Sequence, residues 1–176
     1  MSALSVLFIV LPILAVSFCH ALEVVFTARR WASHHSASSD EAHQSLVNIL
    51  FRLSGMNMSA LVIAAVVGFL AVLLSTAALF AGGLWAELVW TTVFMAYSVC
   101  ALISIVRAVT LKGYVPGLVT SIISVPLIAY TAYSLSLVWP WWGMLLFAIL
   151  GLVLALANLY FAQRIGQRQT SNSTKN

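Results

Sequence analysis

Residues 58–109 read MSALVIAAVVGFLAVLLSTAALFAGGLWAELVWTTVFMAYSVCALISIVRAV. Over that length the charged side chains are Glu87 and Arg107. A helix rises ~1.5 Å per residue and crosses a bilayer core in about 20 apolar residues. The stretch is far too long for one crossing. Gly82-Gly83 interrupts it, and paired glycines mark a turn. The reading is a tight hairpin of two membrane-spanning helices, 58–80 and 84–109.

The rest of the chain repeats this pattern. Apolar residues make up 62% of the 176 and charged residues 7%, against roughly 25% charged in soluble domains. The mean hydropathy is +1.06. Three further spans are predicted, at 3–26, 114–138 and 139–162. Pro12 and Pro126 lie inside the first and fourth and are kink candidates. The fold class is all-α: a polytopic integral membrane protein of five transmembrane helices in one domain, 1–165. A cleaved signal peptide is disfavoured for the first span. It lacks a basic leader, and its apolar run is long.

The segment 27–57 is the one sizeable polar connection. Its first part, with Trp31, His34 and His35, reads as an interfacial loop. Ser38-Ser39-Asp40-Glu41 has the S-x-x-E form of a capping box. Ala42, Leu46, Ile49, Leu50 and Leu53 follow at helical spacing, predicting a juxtamembrane amphipathic helix over about 39–54. Gly55 is its expected terminator. The tail 166–176 is polar and is expected to be disordered.

Cations orient the bundle. Arg29, Arg30 and Arg52 lie between the first two spans, Arg107 and Lys112 near the turn after the third, and Arg164, Arg168 and Lys175 at and after the end of the fifth. All fall toward one side, and positive residues stay in the cytoplasm. This places the N-terminus outside, and the 27–57 loop and C-terminus inside, in a cell membrane of bacterial inner-membrane type. Trp85, Trp90, Trp139, Trp141 and Trp142 are expected at the outer interface, Trp31 and Tyr114 at the inner one. The sequons at Asn57 and Asn172 then face the cytoplasm and should be silent. The basic balance is explained by topology and anionic lipid head groups, without nucleic acid.

Few ionisable groups fall within spans, where they are costly and face the bundle interior. His20 and Glu23 share roughly one face of the first helix with Cys19. Counting from the outer ends, Glu23 and Arg107 reach similar depth, and Asn158 on the fifth helix reaches the same inner third. A polar cluster of His20, Glu23, Arg107 and Asn158 is expected near the cytoplasmic face. Its structural reading is an interhelical clasp in which Glu23 and Arg107 pair and His20 and Asn158 complete the hydrogen bonding. Its functional reading is a proton relay or an anion-binding point. Glu87, in the first turn of its helix, suits the helix dipole. Gly113/Gly117 and Ala64/Gly68 are small-xxx-small pairs that permit close helix approach.

No cofactor or metal is expected. His34, His35, His43, Asp40 and Glu41 lack a ligand spacing. A bis-histidine haem needs two membrane histidines, and His20 is the one within a span. Cys19 and Cys100 form no CxxC pair. No Walker motif, GxGxxG, nucleophile elbow or paired catalytic carboxylates occur. The leading expectation is a non-enzymatic subunit or accessory of a membrane complex. Its partners would be the lipid bilayer and a protein partner or second copy. A small oligomeric transporter or channel comes next. An enzyme acting on lipid or quinone, with His20 and Glu23 as its acid/base pair, comes last.

Overall fold

The computed structural model describes residues 3–35, 58–110 and 112–173. Among them it is all-helical. The elements are α1 (Ala3–His35), α2 (Met58–Ala81), α3 (Leu84–Thr110), α4 (Leu118–Ser136) and α5 (Trp141–Ser173). Five helices are long and apolar enough to cross a membrane, over Phe8–Ala28, Ser59–Ala81, Leu84–Thr110, Leu118–Ser136 and Trp141–Gly166. The hairpin turn falls at Gly82 and Gly83, whose φ values of 82° and 100° lie in the left-handed region. Glycine enters that region without steric penalty. The amphipathic helix expected over 39–54 lies outside the described residues.

Three expected boundaries shift. α1 continues past Phe26 to His35, where a loop was expected. Residues 27–35 hold neither Gly nor Pro, and polarity alone does not end a helix. α5 likewise runs on to Ser173, into the tail expected to be disordered. α4 begins at Leu118, after Gly117 at φ 86°, later than the expected Tyr114. Gly113 and Gly117 therefore lie in the α3–α4 turn and form no helical small-residue pair.

α1 packs against α2 and α4, and α3 against α2, α4 and α5, with α5 also on α2. This leaves α1 and α3 facing each other across the middle of the bundle. Ile13, Val72, Phe94, Trp90 and Leu135 form one apolar core. Trp90 was expected at the interface, but it is 4% exposed. It stacks on Phe94 at 5.6 Å and donates to Thr76 Oγ1 at 3.3 Å. A buried indole needs such an acceptor. Trp85, Trp141 and Trp142 are exposed, and Trp139 is half-buried. A second core joins Val24, Ala60, Leu61, Ala64 and Ala162. Gly151 lets α5 approach α3 so closely that a Cβ there would lie 2.7 Å from the Ala96 backbone nitrogen.

Candidate functional site: a cavity and the carboxylate behind it

A helix begins with backbone amides that have no intrahelical acceptor. At α4 the residue before the first turn is Gly117, which offers no side-chain cap. The acceptor comes from α1. Glu23 Oε1 accepts from the Val119 amide at 3.1 Å and from the Tyr114 phenol at 2.6 Å. Glu23 Oε2 accepts from the Thr120 amide at 2.8 Å and from its hydroxyl at 2.6 Å. Four donors meet one acceptor-only group at the positive end of a helix dipole, so charge, dipole and hydrogen-bond count agree. Tyr114 lies beyond the spans. Partial burial and the carboxylate it serves push its pKa above the ordinary phenol value.

His20 stands one turn before Glu23. Its Nδ1 is 3.0 Å from Thr120 Oγ1. The threonine hydroxyl has one proton to give. The 2.6 Å contact to Glu23 takes it in preference to the 3.3 Å approach to the Gly117 carbonyl. Thr120 Oγ1 is then an acceptor toward the imidazole, and Nδ1 carries the hydrogen. The resulting chain runs His20 to Thr120 to Glu23. Gly117 closes it sterically. A Cβ at Gly117 would lie 2.5 Å from His20 Cε1. The edge of the His20 ring also meets Tyr97, with centroids 6.1 Å apart at 88°.

On its other side His20 borders a cavity of about 180 Å³ between α1, α2, α3 and α5. Arg107, Ser104 and Asn158 line it toward the end of α3, while Val72, Val93 and Phe69 line it toward the start. Val93 and Arg107 are separated by about 21 Å at ~1.5 Å per helical residue. The lining extends over about that length and is mostly apolar, with His20, Ser104, Arg107 and Asn158 as polar groups on its wall. Asn158 is fixed by donating to the Ala64 carbonyl at 2.9 Å.

His20, Arg107 and Asn158 thus share one cavity. Glu23 stands behind His20, joined to it through Thr120, and gives both oxygens to α4 and Tyr114. The sequence pointed to these four but missed Thr120, Tyr114 and Gly117. The signal available was Pro116-Gly117 opening an apolar helix with no capping side chain, which obliges another segment to supply the acceptor. Among the described residues, no three His, Cys, Asp or Glu side chains converge as metal ligands would. Residues 36–57, which carry Asp40, Glu41 and His43, lie outside them. Cys19 and Cys100 are free thiols.

Residues 9–131 match the family described as protein of unknown function with HXXEE motif, and the chain belongs to that family. The sequence His20-Ala21-Leu22-Glu23-Val24 carries the histidine and the first glutamate of such a motif, with Val24 where the second would stand. No curated protein and no solved structure matches the chain.

Proposed function

We propose that this member of the HXXEE family is a non-enzymatic membrane protein that holds a small, single-chain amphiphile in its central cavity. The polar head would lie toward His20, Arg107 and Asn158, and the apolar body toward Val72 and Val93. The observation that carries the reading is a mostly apolar cavity with His20, Arg107 and Asn158 on its wall. Ligand sites are mostly apolar with a few convergent polar groups. Cavities of about 150 Å³ already hold a benzene-sized molecule, so 180 Å³ accommodates a short chain. The role of subunit or accessory of a membrane complex is compatible with this, the ligand being carried within the assembly.

The orientation supported by the cations puts the N-terminus outside and the C-terminus in the cytoplasm of a bacterial-type inner membrane. Arg107, Lys112 and Arg164 all fall toward one end of the alternating helices. The polar groups on the cavity wall then lie toward the cytoplasmic half. A small oligomeric transporter is the second reading, favoured by the presence of Arg107 and His20 on a cavity wall.

The test is thermal unfolding of the purified protein in detergent with decanoate, decanol or decane. Saturable stabilisation by decanoate or decanol, but not decane, is expected. Gly68 lines the cavity, and a Cβ there meets only Asn158 Nδ2, at 3.8 Å. Gly68→Leu should fill the space and abolish the stabilisation. Stabilisation that survives Gly68→Leu in the folded variant would sink the reading.

A further inference from the structure

We propose that Tyr114, Glu23, Thr120 and His20 form a proton path between the cavity and the end of the bundle where α4 begins. The contacts run in series. Tyr114 oxygen to Glu23 Oε1 is 2.6 Å, Glu23 Oε2 to Thr120 Oγ1 is 2.6 Å, and Thr120 Oγ1 to His20 Nδ1 is 3.0 Å. Each lies within hydrogen-bond reach, which is the geometric requirement for transfer. The two ends differ in surroundings. Tyr114 is 42% exposed, whereas His20 is half-buried and borders the cavity. A hydrogen-bonded chain that joins an exposed phenol to a half-buried imidazole on a cavity wall, through a carboxylate, does more than cap a helix. The cap needs only the two amides.

What the path serves rests on the amphiphile reading: a ligand with a weakly acidic head, such as a carboxylic acid, that enters from the membrane in its neutral form. The head's O–H bond breaks as its proton bonds to the second ring nitrogen of His20. The Nδ1–H bond breaks as that proton bonds to Thr120 Oγ1. The hydroxyl's own proton passes to Glu23 Oε2; the carboxyl group then turns to present it to the Tyr114 oxygen, and the phenol's own proton leaves to water. No electron changes hands, and every proton is accounted for. The carboxylate left behind lies in a cavity that Arg107 also lines. A guanidinium has five donors, so Arg107 can serve the anion beside any other contact it keeps.

The groups that can influence His20 are known for each packed element. α3 brings Tyr97, Cys100 and Arg107 to the cavity. Glu23 lies on α1, with Tyr114 and Thr120 at the start of α4. The described cavity residues of α2 and α5 are not ionisable.

The experiment is nitrogen NMR of 15N-histidine-labelled protein in lipid nanodiscs, with His20 assigned by loss of its signals in His20→Gln. The expected tautomer of the ligand-free protein carries hydrogen on Nδ1. Exchange of that hydrogen with water should slow by roughly 10²-fold in Thr120→Val, on the scale of a lost acid/base partner. Thr120→Ser should retain the wild-type rate. Hydrogen on Nε2 with Nδ1 bare, or an unchanged rate in folded Thr120→Val, would overturn the path. If Thr120→Val does not fold, the wild-type tautomer and the serine variant still decide. The exchange is read without ligand, so the two readings fail separately: loss of decanoate stabilisation leaves the tautomer and the Thr120→Val comparison standing.

Discussion

Thr120 meets the Glu23 carboxylate twice on the same oxygen, Oε2, through its amide at 2.8 Å and its hydroxyl at 2.6 Å. That double contact ties α1 to the first turn of α4. Glu23→Gln presents an amide to four donors. Its NH2 half faces hydrogens where an oxygen had accepted them. Hydrogen bonds to charged groups contribute about 1.5–3 kcal/mol each, and rearrangement recovers part. A loss of about 2 kcal/mol or more is expected, read as a lower melting temperature in detergent. An unchanged melting temperature would show that the clasp is not holding the helices.

Gly117 is constrained in two ways, and a comparison separates them. Gly82 and Gly117 have nearly the same φ, 82° and 86°. A Cβ on Gly82 meets nothing within 4 Å, while one on Gly117 strikes the His20 ring at 2.5 Å. Gly82→Ala should cost only the left-handed conformation, about 1–2 kcal/mol. Gly117→Ala should cost more and displace His20, lengthening its contact with Thr120. Equal losses in the two variants would refute the steric part.

Two glycines of α5, one packed on α3 and one on α2, make a similar contrast. A Cβ on Gly151 would lie 2.7 Å from the Ala96 nitrogen and the Met95 Cβ, and one on Gly166 would lie 3.1 Å from the Ala60 Cβ and nitrogen. Backbone cannot yield as a flexible side chain does. Gly151→Ala is expected to force the helices apart and yield aggregated protein. Gly166→Ala should remain monodisperse on size exclusion, because a few tenths of an ångström suffice.

The number and order of the helices were legible because apolar run length and turn glycines are local properties. His20 and Glu23 were legible as rare polar residues in an apolar helix. Their partners were not, since Thr120 and Tyr114 are unremarkable residues whose role appears only when α4 starts beside α1. Depth suggested pairing Glu23 with Arg107, but depth says nothing of the donors that Tyr114, Val119 and Thr120 bring to Glu23. Trp90 shows the same limit. Its position near the hairpin turn suggested an interfacial ring, yet rotation places it in the core.

Tyr114 gives the site a pH dependence at alkaline pH. Its raised pKa means the folded state favours the neutral phenol. This contribution to stability is complete below the unfolded value of about 10 and is lost as pH rises through the folded value. Difference absorbance between wild type and Tyr114→Phe should show phenolate appearing later than in a free tyrosine. Glu23→Gln should bring it back toward the ordinary value. A Tyr114 titration unaffected by Glu23→Gln would contradict the contact.

Val24 carries the last test, because it follows Glu23 where an H-x-x-E-E sequence begun at His20 would have its second glutamate. It is 5% exposed, packs with Ala60, Leu61 and Ala162, and lines the same cavity as Arg107. An ionised carboxylate buried among apolar side chains is costly unless a charge or donor answers it. Arg107 is the cation on that cavity's wall. Val24→Glu should therefore lose less stability when Arg107 is present than when combined with Arg107→Leu. The cycle closed by the two single variants should give a favourable coupling of about 1–3 kcal/mol. The neutral Val24→Gln should couple far less. The added carboxylate should also exclude decanoate, because like charges would share one cavity end. A coupling of zero would place residue 24 and Arg107 out of each other's reach and remove the basis for an anion at that end.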